Sequence, residues 1–314
     1  MGLALLLAAC RPDAATQSPE DGSADATSSE GDTAEDELTF AWPANASATV
    51  TEKVLKKGQN ITMRYRIVTT PAEDGFTLAY RDLEVLAMDG VDMTKPDAKA
   101  MLEAVAQQIY ASFPPFAISG EGYWVGIGEL EQILPALQGA VSAETLGTLE
   151  RMLEDPNMRA MLDALLQKAW SNWVGHWNGL RAAPGEAFGV EIPNAIDPEG
   201  EPWQMAYEYV AREGKEAHLA AQFELAGEAA KVAMGPAILS LVQAAAPPGE
   251  QVDAEMMRSY IDGLDVGILR QWEVRTDVDT MLPSWAASVA RIQVRGNGED
   301  RDELETHEYA FVWD

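Results

Sequence analysis

Few residues in this chain have the type and spacing that catalysis or metal binding requires. The histidines are His176, His218 and His307, and the one cysteine is Cys10. No HExxH pair occurs, and no two histidines are close enough to share a helix face. Zinc sites need close Cys/His sets, but Cys10 stands far from every histidine. No GxSxG elbow marks a hydrolase nucleophile. Gly126-Ile127-Gly128 begins a dinucleotide-like pattern, but Glu131 stands where its last glycine belongs, and no phosphate-cradling P-loop is present. Asp277-Val278-Asp279 and Asn297-Gly298-Glu299-Asp300 offer oxygen ligands without the EF-hand spacing, and read as solvated turns. Carboxylates are so numerous that pairing any two on paper selects nothing. The sequence therefore predicts no catalytic residue, no metal ligand and no cofactor. His218 lies on the polar side of its strand and reads as an exposed sheet histidine. His307 shares a phase with Tyr309, Phe311 and Trp313 and reads as a core or rim histidine.

One cluster stands out. Trp170, Asn172, Trp173, His176, Trp177 and Asn178 fall within nine residues at a predicted helix end. The tryptophans are three and four apart and so share a face. They predict either a core contact with a sheet or the aromatic wall of an apolar pocket, with Asn or His as polar handles.

The elements that must position this cluster follow from periodicity. Met158, Met161, Leu162, Leu165, Leu166 and Ala169 continue the tryptophan face back along a helix. Leu102, Val105, Ala106, Ile109 and Phe113 predict another helix, stopped by Pro114-Pro115. Shorter helices are predicted over residues 129–137 and 142–154. An Ala-rich helix over 229–246 is interrupted by Gly235-Pro236, and a short one covers 252–264. Strands flank these blocks. Ile61, Met63, Tyr65 and Ile67 alternate with polar residues, and residues 48–55 precede them across a Lys56-Lys57-Gly58-Gln59 turn. Over residues 75–88 the apolar phase shifts between Tyr80 and Leu83, which predicts a bulge. Residues 122–128 read as a short strand and 184–202 as a Pro/Gly-rich connection. Two strands carry Trp203, Met205, Tyr207, Tyr209 and Leu219, Ala221, Phe223, Leu225, with a turn at Glu213-Gly214-Lys215. Three more cover 267–276, 284–295 and 303–313, the last two joined at Asn297-Gly298.

This order predicts an α+β fold. A single domain over residues 38–314 would hold an antiparallel, curved sheet of about eight strands. Two helical blocks, residues 97–180 and 229–264, would pack on one of its faces. Such a plan resembles the bacterial lipoprotein carriers (LolA/LolB-like), in which helices lie across the mouth of a half-open sheet. The resemblance is one of plan, and none of that family's motifs is matched.

The N-terminus reads MGLALLLAAC. Its apolar run spans roughly 12 Å as a helix, against a hydrocarbon core of about 30 Å, so it cannot cross a bilayer. It reads as the apolar region of a secretory signal peptide. Leu7-Ala8-Ala9-Cys10 resembles the lipobox of bacterial lipoproteins. That resemblance implies a signal peptide over residues 1–9, cleavage between Ala9 and Cys10, and acylation of Cys10. Two or three acyl chains anchor stably where one does not. The basic residues usual at the start of such peptides are absent, which places the true start upstream. In that family Asp after the cysteine marks inner-membrane retention. Arg11 occupies that place here, which implies the outer membrane of the cell envelope.

Residues 11–37 contain nine acids, one base, and no Val, Ile, Leu, Met or aromatic residue. Such a stretch cannot bury enough surface to fold, and its like charges extend it. Residues 10–37 are thus expected to be a disordered tether from lipid to domain. The whole chain carries 22 basic and 51 acidic residues for a net charge of -29. Phosphate neutralisation needs clustered Lys and Arg, so a nucleic-acid partner is excluded. The acidity also disfavours anionic lipid head groups, leaving the acyl chains on Cys10 as the membrane contact.

The expected function is a lipid-anchored, extracytoplasmic, non-enzymatic binding or interaction protein. Its apolar pocket is expected at Trp170, Trp173 and Trp177, for an apolar small ligand or an envelope protein. The alternatives are a cell-envelope hydrolase and a purely structural surface lipoprotein. A tight group of histidine and carboxylates in one cleft favours the hydrolase, and dispersed histidines count against it.

Overall fold

The computed structural model describes residues 35–95, 115–127, 163, 167–192, 202–232, 235 and 254–314. Strands in chain order are β1 (Asp36–Glu37), β2 (Ser47–Lys56), β3 (Gln59–Ala72), β4 (Gly75–Met88), β5 (Val91–Asp92), β6 (Phe116–Ser119) and β7 (Trp124–Ile127). They continue with β8 (Arg181–Ala182), β9 (Ala187–Ile192), β10 (Trp203–Glu213), β11 (Glu216–Ala226), β12 (Asp265–Asp277), β13 (Pro283–Gly296) and β14 (Glu299–Trp313). One 12-stranded sheet runs β7-β6-β4-β3-β2-β14-β13-β12-β11-β10-β9, with β5 beside β4. Every pairing in it is antiparallel. β1 and β8 form a separate pair.

The described residues are 64% strand and 12% helix, which overturns the α+β expectation with its two packed helical blocks. The eight long strands read from the sequence are all present. β6 and β9 add to them, from beside Pro114-Pro115 and from inside the Pro/Gly-rich stretch. Such short edge strands form because a neighbour offers a ladder, so their local sequence signal is weak. Described helix consists mainly of residues 167–175, residues 227–232 and α1 (Ala254–Asp262). The helices predicted over 97–113, 129–137 and 142–154, most of that over 229–246, and residues 157–162 and 164–166 of the helix predicted to carry the tryptophans lie outside the described residues, while residues 167–175 of that last helix are helical. Cys10, the lipobox and the tether as far as residue 34 also lie outside them.

Alternation explains the sheet. In β11 Ala217, Leu219, Ala221, Phe223 and Leu225 are buried while the intervening side chains face outward. Lys57 and Gly58, and Asn297 and Gly298, have positive φ and close two-residue hairpins. The phase shift in β4 is a bulge: Arg66 pairs Arg81 but Arg64 pairs Glu84, and Asp82 sits at φ 51.

In a flat sheet β4 and β10 would lie seven spacings, roughly 33 Å, apart. Here both touch one short segment. Trp170 meets Phe76 of β4 at 6.3 Å, and Trp177 meets Tyr207 of β10 at 6.1 Å. The sheet therefore curls around that segment, which turns as a π-helix over Ser171–Gly175, with His176 N–H donating to Ser171 O. Residues 36–42 strap this assembly. Leu38 N–H donates to Leu180 O and the Leu38 carbonyl accepts from Gly179 N–H, and the Trp42 indole donates to Met281 O at 2.9 Å. Asp36 pairs with Arg212 and accepts from the Tyr209 hydroxyl, which ties this end of the strap to β10.

Candidate functional site

Register places the site. β14 pairs β2 with Glu305 opposite Lys56, His307 opposite Val54 and Tyr309 opposite Glu52. These six residues share the inner face. β3 adds Ile61, Met63 and Tyr65, and β4 adds Tyr80 and, through its bulge, Leu83. Over this floor lies the 167–175 segment, which contributes Lys168, Ala169 and Asn172. Together they enclose a cavity of about 370 Å³, within the size range of small-molecule sites.

The three tryptophans singled out from the sequence do not line it. Trp170, Trp173 and Trp177 are at most 1% exposed, with rings against Phe40, Tyr309 and Tyr207 respectively. The Trp170 indole donates to Gly122 O. They form the core that holds the segment in place, while its other side faces the cavity. Asn172 donates to Ser288 Oγ at 3.2 Å, and its amide oxygen is buried with no hydrogen-bond partner among the described residues.

The polar end of the cavity is a chain of charges. His307 Nδ1 lies 2.8 Å from Glu52 Oε1, and Nε2 lies 2.9 Å from Glu305 Oε1. Glu305 also meets Lys56 at 2.7 Å and Lys168 at 3.0 Å. The hydrogen bond from His307 holds Glu305 well below the usual carboxylate range, with help from both lysines and against the cost of burial. An ionised carboxylate only accepts, so the imidazole donates at both nitrogens and is cationic. Burial lowers the His307 pKa, but the bonds to Glu305 and Glu52 and the charge of Glu52 outweigh it, and the net shift is upward. Burial likewise lowers Lys168, opposed by Glu305. Tyr65, Tyr80 and Tyr309 are raised by burial first and by the Glu52 charge second, so all three stay protonated as donors.

The other histidines are elsewhere. The His176 ring packs 4.6 Å from Trp272, and burial, then the Arg270 charge, pushes its pKa down to about 4. His218 is on the outer face, 3.3 Å from Glu273. Asp277 caps its own turn by accepting from Asp279 N, Thr280 N and Thr280 Oγ1. Among the described residues no group of three or more His, Cys, Asp or Glu could hold a metal ion.

Sequence reasoning missed Glu52, Lys56, Lys168, Glu305 and the three tyrosines. A signal for part of it existed. Glu52 is in phase with Ala48 and Val50, and Glu305 with Tyr309 and Phe311, so both acids sit on apolar strand faces.

No known family model matches the chain, and no curated protein matches it. A solved structure titled "Lipid-protein interactions in lipovitellin" aligns over 87% of this chain at 9% identity and a TM-score of 0.41. The alignment covers 25% of that chain, so this chain spans a quarter of its length. A likeness at that score carries no argument about function. Among the described residues no helix is long and apolar enough to cross a membrane.

Proposed function

We propose that this is a binding protein that holds a small, largely apolar ligand on the inner face of its sheet. One observation carries the proposal. A cavity of about 370 Å³ is walled by Val54, Ile61, Met63, Leu83, Ala169 and three tyrosines, with charged groups gathered at one end. Apolar walls with a few placed polar groups are the usual makeup of a ligand site. The pocket is thus assigned beside the tryptophan segment and not at its rings.

The His307–carboxylate group meets the condition set for a hydrolase only superficially. Both ring nitrogens are occupied by carboxylates, so neither is free to take a proton from a substrate. Among the described residues none that lines the cavity is Ser, Thr or Cys. The binding reading is therefore preferred.

The lipobox adds an address to this reading: an extracytoplasmic protein anchored by acyl chains on Cys10, on the outer membrane as Arg11 implies. The intact mass of membrane-extracted protein should show acylated Cys10 as its first residue, and Cys10→Ala should release the protein from membranes. An unmodified thiol sinks the anchor without touching the cavity. For the cavity, native mass spectrometry of detergent-free protein should show a reproducible adduct on the order of a few hundred daltons, extractable into organic solvent. Ala169→Trp, which projects into the cavity, should lose the adduct and keep the fold. An adduct that survives Ala169→Trp contradicts the assignment.

A further inference from the structure

The charged end of the cavity indicates the kind of head group its ligand carries. Three cationic groups converge on the Glu305 carboxylate: Lys56 on Oε2, and Lys168 and His307 on Oε1. Glu52 takes the remaining ring nitrogen of His307. Among the described residues the lining thus supplies three cations and two anions, one positive charge in excess, inside a chain whose net charge is -29. The Glu305 side chain is 12% exposed, whereas Lys56 is 49% and Lys168 27% exposed. The internal carboxylate is more covered than either lysine, and each ammonium carries three donors, more than Glu305 alone takes up. Asn172 stands in the same wall.

We propose that the cavity selects a single-chain amphiphilic anion. Its tail lies along Val54, Ile61, Met63 and Leu83, and its acidic head, carboxylate or phosphate, rests against Lys56 and Lys168. This rests on the ligand-binding reading above. A cationic head is the opposite assignment, suggested by the three tyrosines around Glu52. Against it, Glu52 already accepts from His307, Tyr65 and Tyr309, and two lysines repel a second cation nearby.

The test uses the full chain and four probes of equal tail length, below their micelle concentrations, displacing a fluorescent apolar dye. The probes are dodecanoate, dodecyl phosphate, dodecanol and dodecyltrimethylammonium. The two anions should bind about 10-fold more tightly than the alcohol, a gap of about 1.4 kcal/mol, and the ammonium most weakly. Added salt should narrow the gap. Lys56→Gln and Lys168→Gln should each cut the anion advantage over dodecanol by about threefold or more. Equal binding of anion and alcohol, tighter binding of the ammonium, or anion selectivity intact in both lysine variants overturns the head-group assignment and leaves the cavity reading standing. Displacement by none of the four overturns the cavity reading itself. A preference between carboxylate and phosphate, with both ahead of the alcohol, identifies the head.

Discussion

The two sides of one short segment, residues 167–177, do opposite things. One side drives Trp170, Trp173 and Trp177 into the curl of the sheet, where they are at most 1% exposed among other aromatic rings. The other presents Lys168, Ala169 and Asn172 to a cavity with charges at one end. Each side has a histidine nearby in an opposite state. His176, against Trp272, is held neutral, while His307, between Glu52 and Glu305, is held charged. Stability therefore resides on the aromatic side, and the binding site is built on the face that the aromatic side leaves uncovered. A π-turn lets both faces be served at once, because one extra residue per turn rotates the side chains that follow it.

The largest expected effect tests that division. Trp173→Ala should cost about 3–5 kcal/mol in denaturant unfolding, while Met63→Ala in the cavity wall should cost no more than about 1.5 kcal/mol because its site is not close-packed. Equal costs would erase the distinction. Next, Glu305→Gln removes the carboxylate that three cations share and should cost about 2–3 kcal/mol, much of it from the half-buried Lys168 left unpaired. Lys56→Gln should cost less than about 1 kcal/mol, since Lys56 is half exposed.

The histidines add a pH-dependent contrast of opposite sign on the two sides of the segment. His307 has a raised folded pKa, so its contribution is full below about pH 6.5 and is lost as pH rises through the folded value. His176 has a folded pKa of about 4, so stability falls as pH drops from about 6.5 towards 4. Glu305 adds stability that persists above about pH 4.3 and is lost as pH falls through its depressed value. Urea midpoints across pH should show His307→Gln flattening the alkaline limb and His176→Gln the acid limb. Reversed assignments contradict the two protonation states. The smallest effect belongs to the outer face, where breaking the solvent-exposed Arg291–Asp302 pair should leave the urea midpoint almost unchanged.

Local pattern made the long strands legible. Strict alternation marked β3, β10 and β11, a Thr- and Val-rich run before a turn marked β2, the Asn297-Gly298 pair marked the last hairpin, and the phase change between Tyr80 and Leu83 marked the β4 bulge. The class was misjudged because helical spacing was given equal weight with strands, and because β6 and β9 are short pieces whose pairing, not their composition, makes them strands. The tryptophan spacing showed a shared face but not what it faced. The site was hidden for a different reason. Glu52 and His307 are 255 positions apart and meet only through the β2–β14 register. No local window contains that information.

The central claim is that one face of the segment is closed core and the other an open binding wall, and methyl NMR of methionine-labelled protein tests it most directly. Met63 lines the cavity, while Met205 and Met281 are buried in the core. Titration with dodecanoate should shift Met63 strongly and saturably and leave Met205 and Met281 in place. Shifts at the two core methionines with Met63 unmoved, or no shift at any of them, would contradict the account.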